Sequence, residues 1–310
     1  QMTFERQDIS NSNSVEKLFL EDIDGDNDLD IIAIDGSYKT YWHENDGSGN
    51  FTYHTIYDGS WRTYSSEGLY VKDVNGDNDL DVLTTYSYTD RVFWHENSGT
   101  NPPTWTTHTI TTSADNPRGV FAEDMDGDSD IDVIVVSKDD GKVAWHENSG
   151  TDPPTWTEHQ IVLGSSADHY VAVGDMNNDG DMDIVATGDD LTIFERSGTG
   201  ATDFSTHIIS TSGGAMYSNN MKILHIDSNG LLDILVYGAH RQLKIYENQG
   251  SLNFTQKQIA GSTGDLFASP QAYDYSDIDN QNGKDIVVAS WYKNKIPLYL
   301  NDGSDNFADV

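Results

Sequence analysis

Residues Asp22–Asp30 read DIDGDNDLD, and the pattern returns as DVNGDNDLD at Asp73–Asp81, DMDGDSDID at Asp124–Asp132 and DMNNDGDMD at Asp175–Asp183. Successive copies start 51 residues apart. Two altered copies follow, HIDSNGLLD at His225–Asp233 and DIDNQNGKD at Asp277–Asp285, so six such units fill nearly all of the 310 residues. A fixed period of this size marks a repeat architecture. Each unit also carries four short runs of β-branched and aromatic residues bounded by Gly, Asn and Asp, which in the third unit are Val120–Glu123, Ile131–Val136, Lys142–Glu147 and Trp156–Ile161. The fourth run recurs as FTYHTI from Phe51, WTTHTI from Trp105, WTEHQI from Trp156, FSTHII from Phe204 and FTQKQI from Phe254. No helical periodicity intervenes.

Four short antiparallel strands per unit predict an all-β fold, a six-bladed β-propeller of four-stranded antiparallel blades forming one domain over residues 1–310. The run FERQDI, within residues 3–9, matches a fourth strand without its first three and is expected to close the last blade. Phe307–Val310 also begins like a fourth strand, which leaves an incomplete seven-bladed ring as the alternative.

The loops carry chemistry. In an extended chain alternate residues point to opposite sides, but a Gly at the fourth loop position lets the backbone turn and gather the odd positions around one point. Carboxylates so gathered repel unless a counter-charge joins them. Ca²⁺ suits them, because it accepts about six to eight oxygens in flexible geometry. The first loop offers side-chain oxygens from Asp22, Asp24, Asp26 and Asp30 and a backbone carbonyl from Asp28. The matching sets are Asp73, Asn75, Asp77, Asp79 and Asp81; Asp124, Asp126, Asp128, Asp130 and Asp132; and Asp175, Asn177, Asp179, Asp181 and Asp183. An EF-hand is excluded, since Gly25 stands fourth rather than sixth, Ala33 stands where a Glu is needed, and strands flank the loop. The fifth loop, with His225 and Leu231, is expected to bind weakly or not at all. The sixth keeps Asp277, Asp279 and Asp285 with Gln281 among them, so four to five calcium sites are expected.

These loops, with the apolar strand that follows each (DLDII, DIDVIVV), resemble FG-GAP/VCBS repeats, the family that includes the integrin α-chain propeller. The resemblance spans all six units. It implies a propeller with Ca²⁺ between the first and second strands of each blade, and no single activity, since related propellers serve in adhesion, in sugar binding and in polysaccharide cleavage.

The third run reads WHEN at Trp42–Asn45, Trp94–Asn97 and Trp145–Asn148, with Ile193, Ile245 and Leu298 at the Trp position of later units. Replacement by aliphatics marks a packing site between blades. His43, His95 and His146 give way to Phe194, Tyr246 and Tyr299 and read as packed too. His54, His108, His159 and His207 on the fourth strand read as outer-edge residues rather than ligands or catalysts.

Antiparallel order puts the second-to-third and fourth-to-first connections at the ends of the blades opposite the acidic loops. Nine of the 17 basic residues fall there, among them Lys39, Arg91, Lys138 and Lys142. Trp61, Arg62, Tyr64, Arg118 and Tyr170 are the first candidates for contacting a ligand, as rings that stack on sugars beside cations that reach hydroxyls or carboxylates. The expected function is a secreted, calcium-stabilised module that binds carbohydrate. The alternatives are a protein-binding or adhesive module of a larger surface protein, and a lyase using His169, Tyr170 and Arg118. No nucleophile elbow, phosphate loop or zinc-protease motif is present, which weighs against an enzyme.

With 52 acidic against 17 basic residues the formal charge is −35, which repels nucleic acid. The absence of cysteine excludes thiol chemistry and disulfides. No apolar run reaches the roughly 20 residues of a membrane span. Of the 52 carboxylates, 23 lie inside the six loops, so the acidity is addressed rather than diffuse.

Overall fold

Each apolar run becomes a strand because its β-branched residues fit a pleated surface buried on both faces, while the Gly, Asn and Asp clusters supply the turns. A computed structural model of the chain describes residues 8–9, 15–36, 39–59, 66–162, 167–198, 200, 202–210, 221–238, 242–260, 270–276, 278, 284–290, 298–301 and 307–309.

Blade 1 is β1 (Val15–Glu21), β2 (Asp30–Asp35), β3 (Lys39–Asn45) and β4 (Phe51–Asp58). Blade 2 is β5 (Ser66–Lys72), β6 (Asp81–Tyr86), β7 (Arg91–Asn97) and β8 (Trp105–Thr111). Blade 3 is β9 (Pro117–Glu123), β10 (Asp132–Ser137), β11 (Lys142–Asn148) and β12 (Trp156–Val162). Blade 4 is β13 (Ala167–Gly174), β14 (Asp183–Gly188), β15 (Leu191–Arg196) and β16 (Phe204–Ser210). Blade 5 is β17 (Met221–Leu224), β18 (Asp233–Gly238), β19 (Gln242–Asn248) and β20 (Phe254–Ala260). Blade 6 is β21 (Pro270–Ser276), β22 (Asp285–Ser290), β23 (Leu298–Asn301) and β24 (Phe307–Asp309).

Within each sheet the strands run in sequence order, giving six four-stranded antiparallel blades of the six-bladed propeller class. The described residues contain no helix, and none long and apolar enough to cross a membrane. The chain divides into two compact units, residues 1–140 with 144–159 and residues 141–143 with 160–310.

One expectation needs revision. The fourth place in blade 6 is taken by β24, which pairs with β23 through Asn301 and Phe307. A strand from the end of the chain thus fills the place expected for residues 3–9. Residues 3–7 lie outside the described residues, and Asp8 and Ile9 are not in a strand.

The second strands are the most enclosed, with every residue of β6, β10 and β14 buried. The fourth strands alternate between exposed and covered positions, as expected of outer strands. The Trp position lies where the sequence places it, between blades. Trp42 packs with Ile32 and Ile34 of its own blade and with Leu69, Val71 and Val82 of the next. Trp94 does the same with Leu83, Val120, Val133 and Val135. In the second unit Ile245 takes this role, beside Leu235, Ile286 and Val288.

The third-strand histidines are packed too. His95 is fully buried, with Nε2 2.9 Å from Thr84 Oγ1 and Nδ1 2.9 Å from Thr107 Oγ1. Burial, and secondarily His108, pushes its pKa from 6.5 down to about 3. Between those values the unfolded chain holds a proton that the folded chain refuses, so this contribution to stability is present above about 6.5 and is lost as pH falls towards 3. In His95→Phe, which copies Phe194 of blade 4, the pH dependence of unfolding free energy should flatten by up to about 1.4 kcal/mol per pH unit in that window. Urea denaturation at several pH values measures it, and identical slopes for both proteins would contradict the assignment.

Candidate metal centres

Each acidic loop joins a first strand to a second, as the sequence predicts. In the first three loops the fourth position is a Gly with φ of +76 to +81°, and the sixth is also left-handed, at Asn27, Asn78 and Ser129. The fourth loop reverses the assignment, with Asn178 fourth (φ 61°) and Gly180 sixth (φ 94°). Two left-handed residues per loop, rather than one, therefore gather the carboxylates. The second escaped the sequence reading because Asn and Ser tolerate that conformation without announcing it.

The carboxylates have different tasks. The first position caps the loop. Asp22 accepts from the N–H groups of Gly25 (2.9 Å), Asp26 (3.0 Å) and Asn27 (2.8 Å). Asp73, Asp124 and Asp175 accept similarly within their loops.

The ninth position is a fastener. Asp30, Asp81, Asp132, Asp183, Asp233 and Asp285 are all buried. One oxygen accepts from the N–H of the second loop residue (Ile23, Val74, Met125, Met176, Ile226, Ile278) at 2.7–3.0 Å. The other accepts from the last residue of the third strand (Asn45, Asn97, Asn148, Arg196, Asn248, Asn301) at 2.7–2.9 Å. Burial pushes Asp30 up to about 6 and Asp81, Asp132 and Asp183 up to about 7, against the pull of those N–H groups. The sequence reading made Asp30, Asp81, Asp132 and Asp183 metal ligands; main-chain hydrogen bonds also reach both of their oxygens, and Asp30 still lies in the carboxylate group of loop 1.

The third position joins the carboxylates gathered in loops 1 and 3. Both Asp24 oxygens are buried without a hydrogen-bond partner. Oxygens of Asp22, Asp24 and Asp30 lie within 4.8 Å of one another, as do those of Asp124, Asp126 and Asp128. A buried unpartnered carboxylate among others suits a hard cation. The seventh residue turns its side chain away: a Cβ on Gly47 (φ +68°) would lie 2.3 Å from Asp28 Oδ2, so the β3–β4 turn leaves room for that carboxylate. Asp79 and Asp130 repeat this against Gly99 and Gly150. Asp181 is described and exposed to an intermediate degree, whereas Asp277 and Asp279 lie outside the described residues.

Two features were not foreseen. The fourth-strand histidines are held, not loose: Nε2 of His54, His108, His159 and His207 donates to Glu44, Glu96, Glu147 and Glu195 at 2.6–2.7 Å. Trp42 and Trp94 stack on His54 and His108 at 4.7 and 4.4 Å. In blade 5 the pair becomes Lys257–Glu247. The terminal Asn of the WHEN run also ties neighbouring loops together. Asn97 Nδ2 donates to Ile23 O (3.0 Å) in loop 1 and Leu80 O (3.1 Å) in loop 2. Asn148 links loops 2 and 3 through Val74 and Ile131, and Asn248 links loops 4 and 5 through Met176 and Leu232.

At the other ends of the blades, Trp61, Arg62 and Tyr64 lie outside the described residues, as does the side chain of His169. Arg118 is on β9 and Tyr170 on β13, each half-buried. The expected gathering of bases is weaker than the sequence suggested. Lys142 is buried, Lys39 pairs with Asp58 at 3.1 Å, and Asp115, whose carboxyl burial pushes up, sits among Asp90, Asp139 and Asp140.

Asn97→Ala removes the bonds to Ile23 O and Leu80 O that tie loop 1 to loop 2, at an expected cost of about 1–3 kcal/mol. Asn45 Nδ2 donates only to Leu29 O among the described bonds, at 3.1 Å, so Asn45→Ala should cost distinctly less. Chemical denaturation of the two variants compares them, and equal losses would refute the linking role.

Two crystal structures of BBS1N in complex with ARL6DN, soaked with mercury and with lead, are similar in fold, each with a TM-score of 0.59. Their identities are 12% and 11%, and the match covers 93% and 96% of this chain and 78% and 80% of theirs. No curated protein matches the chain in sequence. The FG-GAP-like repeat matches residues 22–84, 73–135 and 124–186, more than half of the sequence. The chain belongs to the FG-GAP-like repeat family.

Proposed function

We propose that this chain is a secreted binding module whose blades are stabilised by Ca²⁺ in the first four acidic loops, and which recognises carbohydrate through the opposite ends of its blades. The observation that carries the cation is Asp24, a buried carboxylate with no hydrogen-bond donor beside Asp22 and Asp30. Asp22, Asp24, Asp26 and Asp30, with their counterparts, would hold the ion, and the ion would supply the positive charge that the loop lacks. For the ligand, the β6–β7 turn presents Tyr88, 64% exposed, next to the exposed Arg91, a ring and a cation of the kind that stack on and reach around a sugar.

A protein ligand is the second reading. It draws on the fold shared with BBS1N, which was crystallised with ARL6DN. The acidic group around Asp115 also favours it over a uronate polymer, which those carboxylates would repel.

Removing calcium with EDTA should lower the melting temperature strongly, and elemental analysis should find about four ions per chain, as the four well-matched loops imply. An unchanged melt with no bound calcium would refute the cation. A glycan array read with and without EDTA tests the ligand: saturable binding without turnover supports carbohydrate. Capture of a defined extracellular protein with no glycan bound would replace it by the second reading.

A further inference from the structure

The loops differ in what stands among their carboxylates. In loop 1 no side-chain donor stands beside Asp24, whose carboxyl is pushed up by burial and then by the charge of Asp26, against the pull of the Asp26 N–H, with Glu44 and Asp22 adding to the rise. In loop 3 Asp126 is exposed and accepts from the Asp128 N–H at 3.3 Å, and its carboxyl is still raised by partial desolvation and then by Asp128, with Glu147 and Asp124 adding; no side-chain donor to it is among the described hydrogen bonds. These are the two loops whose carboxylate oxygens cluster within 4.8 Å among the described residues.

In loops 2 and 4 the third position is an Asn, and its amide is turned inward as a donor. Asn75 Nδ2 donates to Asp77 Oδ2 at 3.0 Å. Asn177 Nδ2 donates to Asp179 Oδ2 at 2.8 Å and to Glu195 Oε1 on β15 at 2.9 Å. One amide thus stands between two carboxylates, where a cation would be drawn. Loop 5 goes further. Asn229 Nδ2 donates to Asp227 Oδ2 at 3.0 Å, and His225 Nδ1 donates to the Leu231 carbonyl, at the seventh position, at 2.9 Å.

We propose that the third loop position sorts these loops into graded cation sites: loops 1 and 3, through Asp24 and Asp126, form a tight class; loops 2 and 4, through Asn75 and Asn177, form a weaker one; and loop 5 is neutralised from within and holds no ion. The inference rests on the cation reading above. An inward N–H supplies part of the positive charge that a divalent ion would bring, and it must rotate away before the amide oxygen can bind. The Asn also contributes one negative charge fewer to the site. Both effects weaken binding, and ligand charge count is a principal control of Ca²⁺ affinity.

The test is calcium titration of the full chain, stripped with chelator, by calorimetry, with equilibrium dialysis fixing the stoichiometry. The wild type should show a tight class and a class weaker by roughly tenfold or more. Asp24→Asn should move one equivalent from tight to weak, and Asn75→Asp should move one the other way. A melt of the stripped proteins gives an independent reading: Asp24→Asn relieves repulsion and should melt higher than wild type, while Asn75→Asp should melt lower. Calcium bound in a single class, or swaps that leave the tight stoichiometry unchanged, would overturn this inference and leave the cation reading standing. A wild type that binds no calcium would overturn both.

Discussion

In every blade the last aspartate of the acidic loop is withdrawn from solvent and shared between two main-chain N–H groups, one inside the loop and one at the end of the third strand. Burying a carboxylate costs several kcal/mol. Charge-assisted bonds of this kind contribute about 1.5–3 kcal/mol each, so two of them offset much of that cost. Their main effect is therefore geometric. They fix where the loop leaves the first strand and where the third strand ends, and this places the terminal Asn so that its amide reaches the neighbouring loop. Register within a blade and linkage between adjacent blades thus follow from one buried side chain.

The same arrangement separates folding of the loop from binding by it. The ninth and first positions satisfy backbone donors. The third joins the first and the ninth in loop 1 and the first and the fifth in loop 3, and the seventh tucks its side chain against the β3–β4 turn in the first three blades. Loop 5 illustrates the separation: it has lost the first aspartate to His225, yet Asp233 keeps both of its bonds. A loop can lose its charge centre and remain a loop, which is how one repeat can carry sites of unequal strength.

Much of this was legible in the sequence because it is local. The 51-residue spacing, the apolar runs and the turn residues report on a few neighbouring positions, and they place the strands and loops correctly. Replacement of Trp42, Trp94 and Trp145 by aliphatics elsewhere reveals a packing role without any structure. What escaped depends on partners that sequence distance hides. His54 meets Glu44 only through the β3–β4 register, and Asn97 reaches Ile23 across 74 residues. The two N–H groups held by the ninth aspartate escaped because they lie at the second loop residue and at the end of the third strand, which sequence distance does not pair. A count of Lys and Arg at the opposite ends also overlooks burial, as at Lys142, and the aspartates interleaved with them.

The central claim is that the ninth-position carboxylates hold each loop to its third strand with or without an ion. Hydrogen exchange followed by mass spectrometry, on the full chain in chelator, tests it at the N–H groups of Ile23, Val74, Met125, Met176 and Ile226 and of the partners Asn45, Asn97, Asn148, Arg196 and Asn248. Protection at all of these sites, blade 5 included, is the expected result. Exchange at the rate of an open loop, with protection returning only when calcium is added, would contradict the account.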